Sequence, residues 1–141
     1  MTNLFFVYGT LKKNFHNNVL LDGCKFLGKG VTDDGYIVHG KGFPKAVRYS
    51  KGCQLAGEVY EVTDKGTVQR LDWLEGNGSF YLRSKRMVTL ESKEKGECWI
   101  YEYIAEPLKQ PARSITTDVL DWDYDYDYAD FFTAIDVTAA V

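Results

Sequence analysis

The sequence predicts an α+β protein, a small β-barrel or strongly bent sheet carrying a few short helices. Three observations lead there. Short runs of β-branched and aromatic residues recur between residues 4 and 104, with glycine punctuating them. Only one stretch combines a clear 3.6-residue apolar spacing with start and stop signals for a helix. Two long strand-like runs late in this region are joined by a charged, glycine-ending connection of the hairpin kind.

Leu4-Phe5-Phe6-Val7-Tyr8 is rich in β-formers and stops at Gly9. Residues 12–21 carry a weaker helical signal. Tyr36-Ile37-Val38-His39 lies between Gly35 and Gly40, and Ala46-Val47-Arg48-Tyr49 between Pro44 and the Lys51-Gly52 turn, so both read as short strands. Residues 55–62 alternate in part, with Glu58 and Glu61 set among Val59, Tyr60 and Val62. Thr63 or Asp64 can cap a helix in which Val68, Leu71 and either Leu74 or Trp73 share one face, and Gly76 ends it. Residues 80–90 and 98–104 read as the long antiparallel pair, with 91–96 as their loop. No repeat or linker interrupts residues 1–113.

Charge divides the chain. The net charge of −3 combines a body, residues 1–113, with 17 basic and 13 acidic side chains, and a tail, residues 114–141, with seven Asp and no Lys or Arg. Asp-Trp-Asp-Tyr-Asp-Tyr-Asp-Tyr (121–128) alternates as a strand would, yet Asp is poor in strands. Leu120, Tyr124, Tyr128, Phe131 and Ile135 are spaced as one helix face, with Thr117 or Asp118 as cap. The tail is therefore expected to be an amphipathic helix docked on the body, with an irregular segment lying on the body, or a disordered tail, as the alternatives.

Several classes of function are disfavoured. The apolar run at residues 4–8 is far shorter than the roughly 20 residues of a membrane span or the about 7–15 of a signal-peptide core, which predicts a cytoplasmic protein without a membrane partner. Cys24, Cys53 and Cys98 form no paired motif, and His16 and His39 have no ligand spacing, so neither a disulfide framework nor a metal site is expected. The body is only mildly basic and the tail repels phosphate, which argues against nucleic acid.

Two segments could carry chemistry. Val7-Tyr8-Gly9-Thr10-Leu11 runs a strand into a glycine turn, where unpaired N–H groups can bind a carboxylate or a developing oxyanion. An ordinary strand end has the same sequence. Leu71-Asp72-Trp73-Leu74-Glu75-Gly76 places a carboxylate at the last turn of an apolar helix. The helix dipole and the neighbouring Trp and Leu would both raise its pKa, as a base or acid working near neutrality requires. A surface Glu at a helix end is the bland reading. Tyr81 and Arg83 could point to the same place or merely pack and solvate, and an inward-facing Glu58 or Glu61 would be a rival carboxylate.

The pieces gain specificity as an ordered set. Tyr8-Gly9-Thr10-Leu11-Lys12 is followed by Asn17, by Leu27-Gly28-Lys29-Gly30 with Tyr36, by Gly42-Phe43-Pro44-Lys45-Ala46-Val47, and by Gly57-Glu58-Val59-Tyr60. Then come Leu71-Asp72-Trp73-Leu74-Glu75-Gly76, Tyr81-Leu82-Arg83 and Trp99-Ile100-Tyr101. Over residues 4–104 this pattern resembles the gamma-glutamylcyclotransferase-like superfamily, also called avirulence-induced-gene-like. Within it, the pattern is most similar to the gamma-glutamylamine cyclotransferase branch. Two positions depart from it: Asn14 stands where glycine is frequent, and Gly78 where proline often follows the catalytic Glu, making that loop less rigid.

The resemblance implies a small mixed barrel, no cofactor, and a reaction in which a γ-glutamyl amide loses its amine and closes to 5-oxoproline. It places the catalytic carboxylate on Glu75 and the substrate-holding loop on Tyr8, Gly9, Thr10 and Leu11. Tyr81 becomes a hydrogen-bond partner for Glu75 or the substrate. The expected partner is a small γ-glutamyl compound, acted on by a monomer or weak homodimer. A non-catalytic module of the same fold, binding a ligand or a protein, is the alternative.

Overall fold

Strands dominate, as the recurring β-rich runs require. The computed structural model describes residues 3–39, 45–49, 52–104, 109–113, 119–121 and 133–136. In chain order these form β1 (Asn3–Val7), a 3-10 helix (His16–Leu21), β2 (Lys25–Thr32), β3 (Tyr36–His39), β4 (Lys45–Arg48), β5 (Gln54–Val62), α1 (Lys65–Glu75), β6 (Tyr81–Leu90), β7 (Lys95–Tyr103), β8 (Lys109–Arg113), β9 (Val119–Leu120) and β10 (Thr133–Asp136).

Five strands in the order β1-β7-β6-β2-β5 close into a barrel through the pairing of β1 with β5. The barrel is mixed. β1 is antiparallel to β5, with Phe6 opposite Val59, and parallel to β7, with Phe5 opposite Trp99. The long hairpin β6–β7 keeps its register from Tyr81 opposite Tyr103 to Thr89 opposite Lys95, and Lys93 takes a left-handed φ of 75° in its turn. β3 and β4 form a separate hairpin.

Period-two burial on β1 supplies two cores. Phe6 and Tyr8 join Leu55, Val59, Val88, Cys98 and Ile100, where Tyr36, Ile37 and Val38 of the β3–β4 hairpin also pack. Phe5 and Val7 join Tyr60, Val62 and Tyr101 on the other face, covered by Leu71 of α1 and Leu21 of the 3-10 helix. Burying a Phe completely, as for Phe5 and Phe6, stabilises by about 1.5–3 kcal/mol each.

Helix α1 matches its sequence signals. Asp64 is the N-cap, accepting from the N–H groups of Gly66 and Thr67, and Gly76 terminates the helix at φ 60°. Leu71 is fully buried and Leu74 packs beside it, while Trp73 is 84% exposed, so Leu74 completes the apolar face. Residues 12–21 yield only the short 3-10 helix.

β2 escapes the sequence reading because Gly28 and Gly30 look like breakers. Both are needed within the strand. Gly28 sits at φ 129° beside a bulge in the β2–β5 register, and a Cβ on Gly30 would lie 2.8 Å from the Thr89 carbonyl oxygen. The tail also differs from expectation wherever it is described. Val119–Leu120 pairs in parallel with Gln54 and Leu55, and Thr133–Asp136 pairs with β8, so both ends of the expected helix are strands. Open backbone groups on neighbouring strands outweigh a helical spacing that periodicity alone cannot enforce. Tyr124, Tyr128 and Phe131 lie outside the described residues, as does the Gly42-Phe43-Pro44 motif.

Gly57 shows how tightly β5 and β1 approach: a Cβ there would lie 2.4 Å from the Val7 carbonyl oxygen and 2.6 Å from Phe6 Cζ. Gly57→Ala is therefore expected to lower unfolding free energy by about 1–3 kcal/mol in urea titrations. Gly96→Ala, whose Cβ would meet only Leu4 Cδ1 at 3.7 Å, should change it by less than about 0.5 kcal/mol.

Candidate active site

The first strand ends where the barrel meets α1, and the segment after it turns back sharply. Lys12 N–H donates to the Gly9 carbonyl at 3.1 Å, Asn17 N–H to the Thr10 carbonyl at 3.2 Å, and Asn18 Nδ2 to the Leu11 carbonyl at 2.7 Å. Asn17 Nδ2 also donates to Thr10 Oγ1 at 2.8 Å. All three carbonyls of Gly9, Thr10 and Leu11 are thus drawn back into the protein. Their N–H groups have no backbone partner among the described residues. Asn14 sustains this path at φ 74°, in the left-handed region that asparagine tolerates.

These residues border a narrow pocket of about 30 Å3 lined by Phe6, Val7, Tyr8, Gly9, Thr10, Leu11, Glu75, Tyr81 and Tyr101. Every site residue expected from the sequence is here. The pocket adds Tyr101, whose only sequence signal was its place in the aromatic last strand of the motif set. Arg83 is not among the lining residues. It pairs with Asp72, Nε 3.0 Å from Oδ1, and its guanidinium carbon lies 4.4 Å from the Trp99 ring centroid.

Glu75 sits at the end of α1, where the helix hands over to Gly76. Its carboxyl is crowded by protein while keeping some contact with solvent. Burial pushes its pKa up to about 7. A carboxyl at this value exchanges a proton easily at neutral pH. The surrounding tyrosines remain neutral: burial raises the pKa values of Tyr8, Tyr81 and Tyr101, and the nearby Glu75 charge adds to each.

The rival carboxylates lie elsewhere. Glu58 is buried at 7% exposure, accepts from Lys13 N–H at 2.9 Å and Tyr60 OH at 3.0 Å, and borders a separate, wider groove with Lys12, Lys29 and Asp121. Glu61 is half-buried and lines neither cavity. Gly78 takes φ 94°, a conformation closed to proline, so the loop from Glu75 to Tyr81 follows a path that the more usual residue would forbid.

The family model described as gamma-glutamyl cyclotransferase, AIG2-like, matches residues 5–124. The chain belongs to this family. A Methanocaldococcus jannaschii protein provisionally named a gamma-glutamylcyclotransferase is 41% identical over 99 residues, covering 70% of this chain and 82% of that one. A Drosophila melanogaster protein with the same provisional name is 33% identical over 119 residues, covering 78% and 75% respectively. The crystal structure of an AIG2-like protein from Mus musculus superposes with a TM-score of 0.66 at 28% identity, covering 74% of this chain and 79% of that one. The closed five-stranded barrel is the fold of this gamma-glutamyl cyclotransferase, AIG2-like family. No helix among the described residues is long and apolar enough to cross a membrane.

The raised pKa of Glu75 makes stability depend on pH. The fold favours the protonated form, so the contribution of this group is fully present below the ordinary value of 4.5 and is lost as pH rises through about 7. Glu75→Gln removes that dependence. At pH 8 the variant should be more stable than wild type by on the order of 1–3 kcal/mol, with the difference vanishing near pH 4 in parallel urea titrations.

Proposed function

We propose that this chain cyclises γ-glutamyl amines or γ-glutamyl peptides, releasing the amine and forming 5-oxoproline. One observation carries the reading: a buried carboxyl titrating near neutrality shares a pocket with three consecutive N–H groups left without backbone partners. Family membership supplies the reaction class.

The substrate's α-ammonium cannot attack until it loses a proton. Glu75 takes that proton, the free amine adds to the γ-carbonyl carbon, and a five-membered ring closes through a tetrahedral oxyanion. N–H groups of Gly9, Thr10 and Leu11 hold the substrate's carboxylate or stabilise that oxyanion. Glu75 then returns the proton to the departing nitrogen as the old C–N bond breaks, and the second proton of the new ring nitrogen passes through Glu75 to the released amine, which leaves as its ammonium ion. Tyr8 shapes the wall, and Tyr81 serves as hydrogen-bond partner to Glu75 or substrate. Glu75 and the backbone handle every proton and charge in this scheme, so it calls for no cofactor. Ring closure is intramolecular and gains a large proximity term.

Residues 1–113 form the catalytic body in this reading, with the acidic 114–141 segment docked on it. Burial of Leu120 and the 2.6 Å contact of Lys12 Nζ with Asp121 support that docking. The protein works as a cytoplasmic monomer or weak homodimer on a small molecule, with no role for nucleic acid or membrane.

Incubation with a panel of γ-glutamyl amines and peptides should release 5-oxoproline and free amine in equal amounts. Log kcat/KM should fall on the acid side of about 7, where Glu75 is protonated. Glu75→Gln should lower kcat/KM by about 10²–10⁴-fold or more while the protein stays folded. Silence across the panel, or a fully active Glu75→Gln variant, refutes the proposal. Binding of these compounds without turnover would favour the non-catalytic module.

A further inference from the structure

The two halves of the pocket come from elements far apart in the chain, and one side chain joins them. Tyr101, on β7, donates its hydroxyl to Asp72 Oδ1 at 2.6 Å. Asp72 lies on α1 three residues before Glu75, one helical turn away and on a neighbouring face. The carbonyl of the same Tyr101 accepts from Tyr8 OH at 2.6 Å, and Tyr8 immediately precedes Gly9, Thr10 and Leu11. We infer that Tyr101 and Asp72 form a positioning clamp that sets Glu75 against the Gly9–Thr10–Leu11 N–H groups. This inference rests on the proposed function, and it assigns the two residues no contact with the reacting atoms.

The clamp is built to be stiff. Asp72 is gripped a second time by Arg83, with Nη2 3.3 Å from Oδ2 and Nε 3.0 Å from Oδ1. Arg83 is itself held between aromatic faces, its guanidinium carbon 4.4 Å from the Trp99 centroid and 5.6 Å from that of Phe5. Its own N–H donates to Asn77 Oδ1 at 2.9 Å, and Asn77 N–H returns to the Asp72 carbonyl at 2.9 Å. The last turn of α1 is therefore tied to β6 and β7 just before the chain reaches Gly76. Glu75 has no bond of this kind: among the described residues its carboxyl has no hydrogen-bond or ion-pair partner, so its placement depends on the turn that carries it. A carboxyl left unpartnered for proton transfer has to be aimed through its backbone.

The hydroxyl of Tyr101 is committed to Asp72 and that of Tyr8 to the Tyr101 carbonyl. Both rings line the pocket while their hydroxyls join the walls to each other. The groups that sense Glu75 across the pocket are Tyr8 on the β1 side, Tyr81 on β6 and Tyr101 on β7, with the Asp72–Arg83 pair behind α1. Releasing the clamp leaves these charges in place and lets water reach the carboxyl.

Tyr101→Phe tests this cleanly, because it deletes one hydroxyl and no charge. Titration of the Glu75 carboxyl by carbon NMR, assigned by its loss in Glu75→Gln, should move from about 7 in wild type toward the ordinary carboxyl value by about one unit or more. With the best γ-glutamyl substrate, kcat should fall by roughly 10–100-fold, with KM changed by less than about threefold. Asp72→Asn should behave similarly, although loss of its charge also lowers the pKa, so it serves as the second variant if Tyr101→Phe does not fold. Asp64→Ala removes the N-cap at the other end of the same helix and should lower the urea midpoint of unfolding without moving the titration. An unshifted Glu75 titration in Tyr101→Phe, or an equal shift in Asp64→Ala, overturns the clamp. The NMR readout needs no turnover, so a failed substrate panel refutes the proposed reaction and still leaves the clamp to be decided by titration.

Discussion

Insertion of β1 between β5 and β7 closes the barrel, and the position of everything functional follows from it. A strand bonded on both edges cannot slip without unpairing two ladders and turning Phe6 out of one core and Phe5 out of the other. Its end is therefore a fixed point. Gly9, Thr10 and Leu11 leave from that point, and their carbonyls are tied back by Lys12, Asn17 and Asn18. A loop held by its own acceptors keeps its donors free of backbone partners, and such free donors are what an anionic group needs.

Glu75 presents the opposite problem. It is held at the end of a helix, in surroundings that disfavour its charge, without an ion-pair partner among the described residues. Evolution of stability alone would replace it. In the proposed function, a fold that tolerates such a group beside a pocket, and strengthens the adjacent turn through Asp72, Arg83 and Tyr101, gives up stability for reactivity.

Much of this was legible in the sequence wherever local chemistry decides the outcome. Asp64 and Gly76 bracket α1 because capping and left-handed termination are local, and Tyr36 to His39 forms a strand because β-branched and aromatic residues lie between turn-formers. The ordered motifs brought Tyr8 to Leu11, Glu75 and Tyr81 to one pocket. Distance in the chain hid the rest. Gly28 and Gly30 look like breaks until the neighbouring strands are in place to require them. Leu120 lies in a strand because β5 offers an edge there, which no spacing within the tail could announce. The joining role of Tyr101 depends on two partners, Tyr8 and Asp72, that only the closed barrel brings within reach.

The parallel pairing of β1 with β7 has a consequence for the order of assembly. During synthesis the segment around Gly9 emerges before either of its partners, since its antiparallel partner spans residues 54–62 and its parallel partner includes Trp99. Neither can be supplied by a local hairpin. The β6–β7 hairpin and α1 can form from neighbours in sequence, whereas β1 has to wait across a long loop for both of its edges. β1 is thus made before both of its partners, and until the chain has extended to Trp99 the Gly9 turn has no complete pocket to face.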